Sequence, residues 1–129
     1  MANPYRILVV DDSRDAAYAL KMLLTKIGHQ VEIAGDGKEG LLAAKQAPPD
    51  IVFCDISMPR MNGYEVAEEL RADATTRHAY LVALTGYGQD DDRRKALESG
   101  FDLHLVKPVG WTTLQETIAA IGERRQGRT

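Results

Sequence analysis

Asp11-Asp12, Asp55, Thr85 and Lys107 each follow directly on a short apolar run, and as a set they suit the binding of a phosphate or a cation. Ile7-Leu8-Val9-Val10 runs into Asp11-Asp12, Ile51-Val52-Phe53-Cys54 into Asp55, Leu81-Val82-Ala83-Leu84 into Thr85, and Leu103-His104-Leu105-Val106 into Lys107-Pro108. If these runs lie parallel in one sheet, their carboxyl ends share an edge, which is where open α/β sheets bind ligands. Three carboxylates, a hydroxyl and an ammonium then converge. One acid after one strand arises easily by chance. A carboxylate pair, a lone carboxylate, a hydroxyl and a Lys-Pro in this chain order does not.

The elements that must position these groups follow from periodicity. Ala16, Leu20, Leu23, Leu24 and Ile27 form a helical stripe after Ser13, closed by Gly28. Residues 30–34 predict a strand. Asp36 with Glu39 suggests a capping box opening a helix through Leu41 and Leu42, which Pro48-Pro49 ends. After the strand from Ile51 to Cys54 come a loop with Met58-Pro59 and Asn62-Gly63, then a helix with Val66, Ala67 and Leu70 on one face. A polar connector from Asp73 to His78 leads to a strand from Tyr80 to Leu84, a charged helix from Asp90 to Ser99 closed by Gly100, and a last strand from Leu103 to Val106. Thr113 with Glu116 predicts the cap of a final helix that places Leu114, Ile118 and Ile121 on one face. Strands alternating with helices at this spacing call for a parallel sheet covered on both faces, and the near-continuous apolar runs agree.

At 129 residues the chain suits a single domain spanning 1–129, with a core from about residue 6 to 124 and short tails. A formal charge of -3 gives no pointer to nucleic acid or to an anionic membrane, and the short basic tail of Arg124, Arg125 and Arg128 reads as solvated. The single cysteine, Cys54, cannot form an internal disulfide and lies in an apolar run, which fits a small core residue in a reducing compartment. No run is long enough to span a bilayer and Met1-Ala2-Asn3-Pro4 does not open a signal peptide, so the cytoplasm is the expected location.

Asp11-Asp12, the segment from Asp55 through Met58-Pro59 and Met61 to Gly63, Leu84-Thr85-Gly86 and Leu105-Val106-Lys107-Pro108 closely resemble the receiver domain of bacterial two-component response regulators, stand-alone or attached to a hybrid histidine kinase. The likeness runs from Arg6 to about Arg124. It implies a flavodoxin-like (βα)5 fold, a doubly wound parallel sheet of strand order 2-1-3-4-5, in which the first and third strands are neighbours and Asp11, Asp12 and Asp55 meet. Crowded carboxylates repel unless a cation neutralises them, and an all-oxygen cluster suits Mg2+ or Mn2+. The resemblance implies that Asp12, Asp55 and the backbone carbonyl of Ser57 hold this metal, with Asp11 acting through water. It also implies that Asp55 is the nucleophile that takes a phosphoryl group, that Lys107 neutralises charge, and that Thr85 donates its hydroxyl to a phosphoryl oxygen.

The implied function is phosphorelay signalling rather than turnover of a substrate. The implied partners are a histidine kinase or phosphotransfer protein upstream, and a downstream protein at the face of the fourth helix, fifth strand and fifth helix. A monomer or weak dimer is expected, and output passes through another protein or through further parts of a longer chain. His104 occupies the position where this family most often carries Tyr or Phe as a conformational switch, so the chain departs from the pattern there. The resemblance implies that Ser57 and Tyr87 flank the route of a hydrolytic water; neither carries a carboxylate or amide to position it, which predicts slow self-dephosphorylation, slowed further by the bulk of Tyr87.

Blander readings exist for several of these residues. Asp12 also suits a helix cap, whereas Asp55 is followed by loop residues and suits one poorly. Met58-Pro59 reads as a plain turn, Met61 as a gap-filler, and His29 and His78 as inert turn residues. The resemblance implies a cis bond at Lys107-Pro108, while the general preference of X-Pro bonds favours trans. Asp90-Asp91-Asp92 reads as a solvated first turn, and Trp111 as a ring lying on its own helix or an exposed anchor. A haloacid-dehalogenase-type phosphatase would need a second Asp two residues after the nucleophile, where this chain has Ser57, and a flavin or nucleotide binder would want a Gly- or Ser/Thr-rich loop where this chain has two aspartates. A receiver that acts without phosphate is disfavoured because every chemical position is filled.

Overall fold

Parallel strands alternate with helices throughout the computed structural model, which describes residues 4–86 and 90–126. The elements are β1 (Arg6–Val10), α1 (Arg14–Ile27), β2 (Gln30–Ala34), α2 (Gly37–Gln46), β3 (Ile51–Asp55), α3 (Gly63–Ala72), β4 (Tyr80–Thr85), α4 (Asp90–Ser99), β5 (Leu103–Val106) and α5 (Trp111–Gln126). The sheet order is β2-β1-β3-β4-β5 with every pairing parallel, as the resemblance implies.

The sheet splits the core into two layers. On one face Leu8, Val10, Val52, Cys54, Leu81 and Ala83 pack under α2, α3 and α4 through Ala44, Val66, Ala67, Leu70 and Ala96. On the other, Ile7, Val9, Ile51, Phe53, Val82 and Leu84 pack under α1 and α5 through Ala17, Leu20, Leu24, Leu114, Ile118 and Ile121. Each large side chain fully withdrawn from water contributes about 1.5–3 kcal/mol before entropy is counted. The central strand β3 is buried at every position, which is why its sequence shows no in-out alternation. The edge strand β2 does alternate, with Val31 and Ile33 half-buried between exposed Gln30 and Glu32.

Helix ends obey their local chemistry with some departures from expectation. Ser13 caps α1, its Oγ accepting the Ala16 N–H, and Gly28 ends that helix at φ 111°, a left-handed conformation that costs glycine little. Asp36 caps α2 through the Glu39 N–H, but the Glu39 carboxylate turns back to the Gly35 N–H instead of closing the box on Asp36. The helix runs through Leu41 and Leu42 as expected; Leu41 packs half-buried against the core, Leu42 is exposed, and the fully buried positions are Gly37, Gly40 and Ala44, because the backbone comes too close for larger side chains. Thr113 does not cap α5, which begins at Trp111; the Thr113 carbonyl is already inside the helix, accepting the Thr117 hydroxyl.

Candidate functional site

Strand register brings the chemical residues to one edge. Val10 pairs with Cys54, so Asp11 and Asp55 emerge side by side from β1 and β3. Asp55 pairs with Leu84 and Thr85 with Val106, which sets Thr85 and Lys107 in sequence along the same edge. The Lys107 N–H donates to the Thr85 carbonyl at 2.7 Å. Its ammonium reaches back to Asp11 Oδ2 at 3.0 Å and to Asp55 Oδ2 at 3.5 Å.

One oxygen each from Asp11, Asp12 and Asp55 lies within 4.8 Å of the others, a group able to hold a metal ion. Asp11 and Asp55 are buried while Asp12 is exposed, so the cluster opens to solvent on one side. Two further contacts fix the buried pair: Asp11 Oδ1 accepts the Ser13 N–H at 2.9 Å, and Asp55 Oδ1 accepts the Ser57 N–H at 3.0 Å. Burial pushes the Asp55 carboxyl above its usual range; the Ser57 N–H and the Lys107 ammonium oppose this, and the charges of Asp11 and Asp12 add to it. Burial alone would lower the Lys107 ammonium, but its hydrogen bond and charge contacts with Asp11 and Asp55 outweigh that and raise it. With one ammonium against three carboxylates, the all-oxygen donor set remains net negative and fits a hard divalent cation.

The alternative roles for these acids resolve locally. Ser13, not Asp12, caps α1. Asp55 caps nothing: α3 is capped by Asn62, whose side chain accepts the Glu65 N–H while Glu65 accepts the Asn62 N–H. Met58 is buried and Met61 half-buried against the core, both filling space beneath the loop after β3. Lys107-Pro108 is cis, which corrects the trans expectation; the trans preference of an X-Pro bond is small enough for the surrounding fold to decide.

Other expectations fare differently. His104 is half-buried on β5, its Nε2 without a hydrogen-bond partner among the described residues, and burial lowers its pKa. His29 is not inert: its Nδ1 accepts the Tyr5 N–H at 3.0 Å and its ring stacks on Tyr5. His78 and Trp111 are exposed. Burial pushes the Cys54 thiol up, consistent with a core residue. Ser57 is exposed beside Asp55, and Tyr87 lies outside the described residues.

Sequence reasoning passed over one positioning residue. A Cβ on Gly63 would fall 2.6 Å from the Asp55 carbonyl oxygen and 2.7 Å from Ile56 Cα, so the first turn of α3 rests directly on the chain leaving β3. The Asn62-Gly63-Tyr64-Glu65 string carried the signal, as Asn with Glu three residues on is a capping box that fixes where this helix starts.

Residues 7–119 match the family model of the response regulator receiver domain. Protein PilH of Pseudomonas aeruginosa is 40% identical over 90% of this chain and 96% of its own length. Response regulator PleD of Caulobacter vibrioides is 40% identical over 81% of this chain, which covers only 23% of that protein. Among solved structures, chemotaxis protein CheY4 of Vibrio cholerae superposes with a TM-score of 0.87 at 28% identity, covering 92% of this chain and 99% of that one. A carboxylate cluster at the β1/β3 edge, the β2-β1-β3-β4-β5 sheet and these matches lead to one assignment: the chain belongs to the response regulator receiver domain family, the receiving modules of phosphorelay signalling.

Proposed function

We propose that the chain is a single receiver domain, with a core from about residue 6 to 124, in which Asp55 accepts a phosphoryl group from a phosphohistidine of a histidine kinase or phosphotransfer protein. The observation that carries this reading is the Lys107 ammonium held at 3.0 Å from Asp11 and 3.5 Å from Asp55, at the edge where three carboxylates gather. An Asp55 oxygen forms the new bond to phosphorus. The phosphorus–nitrogen bond breaks, and the leaving imidazole keeps its electron pair. Lys107 offsets charge on the transferring group, and Thr85 donates its hydroxyl to a phosphoryl oxygen once the group is in place. Asp12, Asp55 and the Ser57 carbonyl would hold Mg2+ or Mn2+, with Asp11 acting through water; the bound ion supplies charge neutralisation at the phosphoryl oxygens.

The protein's own role is that of a switch, without turnover of an external substrate. Thr85 and His104 are the residues we assign to repositioning after phosphorylation. The face of α4, β5 and α5 is the proposed output surface for a downstream protein, supported by exposed Leu97, Val106 and Trp111. Among the described residues no helix is long and apolar enough to cross a membrane, and a lone buried thiol suits a reducing compartment, which favours the cytoplasm. The absence of a carboxylate or amide at Ser57 and Tyr87 favours a long-lived acyl phosphate.

The decisive test adds a small phosphodonor with Mg2+ to the wild type and to Asp55→Asn and weighs both proteins intact. Gain of one phosphoryl group by the wild type alone is the expected result. Equal labelling of the two would move the acceptor elsewhere, and decay of the phosphorylated protein within seconds would contradict its proposed longevity.

A further inference from the structure

The amino ends of β4 and β5, at the sheet edge opposite Asp55, border a cavity of about 610 Å3. Its volume falls within the range of roughly 300–1,000 Å3 that accommodates small ligands. The walls are strongly basic: Arg77 and His78 come from the turn before β4, and Arg124 comes from the last turns of α5. The Arg124 guanidinium lies 5.9 Å over the ring of Tyr80, the first residue of β4, so the cavity presents cationic forks beside an aromatic surface.

Charge accounting separates structural from available cations. Arg71 also lines the cavity but is fully engaged: it donates to the carbonyls of Gly100, Arg77 and Ala79 and pairs with Asp102 at 2.7 Å. Asp102, the one carboxylate in the wall among the described residues, also accepts the Leu81 N–H. Its charge is therefore spent on Arg71. No ion pair with a carboxylate is found for Arg77 or Arg124 among the described residues. Two arginines thus line one hollow with no carboxylate paired to them among the described residues, in a protein whose overall charge is -3. Guanidinium forks match the oxygens of phosphate and carboxylate groups two at a time, and two arginines line this wall.

We infer that this cavity is an anion-binding site, separate from the Asp55 cluster, for a small molecule that carries two or more phosphate or carboxylate groups. A concave pocket favours a small molecule over nucleic acid, whose binding uses an extended basic stripe. The site lies about 17 Å along β4 from the phosphoryl-accepting edge, so its occupancy does not compete for Lys107.

The probes are inorganic tripolyphosphate and ATP, with adenosine as the uncharged control, titrated into the full chain by calorimetry and by NMR in metal-free, low-salt buffer. Both polyphosphates should bind and shift the Tyr80 ring signals, while adenosine should not. The Arg77→Ala/Arg124→Ala double variant should weaken binding by about tenfold or more, because charge-assisted contacts carry it. Both side chains are exposed, so this variant keeps its fold, and circular dichroism verifies that. Asp55→Asn should bind as the wild type does, which keeps this test independent of the phosphorylation reading. Equal affinity in the double variant, loss of binding in Asp55→Asn, or no binding of either polyphosphate up to about 5 mM would overturn the inference.

Discussion

Gly63 lies so close to Asp55 that a Cβ built on it would sit 2.6 Å from the Asp55 carbonyl oxygen, closer than real Cβ atoms approach any backbone atom. The contact belongs to backbone on both sides, so no side chain can swing away to relieve it. Gly63→Ala should therefore push α3 off the end of β3, destabilise the fold by about 1–3 kcal/mol and reduce phosphoryl uptake at Asp55. Urea unfolding and intact-mass labelling read the two effects. A variant with unchanged midpoint and labelling would show that the contact is easily relaxed.

Asp55→Asn should stabilise the metal-free protein at neutral pH. Burial, with Asp11 and Asp12, raises the folded-state pKa of Asp55 despite Ser57 and Lys107. Its contribution to stability is thus fully present only below the ordinary carboxylate range near 4, and is lost as pH rises through the folded value. An uncharged isostere removes that loss, and a rise in melting temperature of roughly 2–5 °C is expected for about 1 kcal/mol in a domain of this size. Added Mg2+ should then raise the wild-type midpoint more than that of the variant, by mass action on the folded state. Scanning calorimetry with and without Mg2+ decides this, and a lower midpoint for the metal-free variant would refute it.

His29 should make stability depend on pH with the opposite sign. Its Nδ1 accepts the Tyr5 N–H, so the folded state holds the neutral ring, and burial lowers its pKa. The unfolded chain binds the extra proton near the ordinary value of about 6.5. The stabilisation is complete above that value and is lost as pH falls through the lower folded one. Urea midpoints taken between neutral and mildly acidic pH should fall in the wild type and fall less in His29→Asn. Parallel curves would show that the ring titrates alike in both states.

Arg71→Ala should cost about 2 kcal/mol, because it strips donors from three carbonyls and leaves a partly buried Asp102 without its partner. Arg71→Lys keeps the charge but cannot fork to several acceptors at once, so it should recover only part of the loss. Chemical unfolding of the two variants ranks them, and equal stability would mean that charge alone matters.

How much of this was legible in the sequence depended on what sets each residue's place. Asp11, Asp55, Thr85 and Lys107 each sit one step beyond or at the end of a strand, and parallel register alone carries them to the same edge. A local apolar run was thus enough to locate them. The close approach of α2 to the sheet at Gly40, where a Cβ would meet the Val10 side chain at 2.9 Å, is something that no hydrophobicity pattern encodes. Thr113 misled because a cap motif was present in a stretch where the helix had already begun. The Tyr5–His29 pairing joins residues 24 positions apart, a long-range property that local patterns cannot carry.

Cys54, wholly buried in the central layer of the sheet, has a practical consequence. Thiol reagents can reach it only when the molecule opens, so the rate of its modification serves as a built-in clock for unfolding. The same inertness frees the exterior: a cysteine engineered on a surface helix takes up a fluorescent label by itself, and the wild-type background needs no prior removal of its own sulfur.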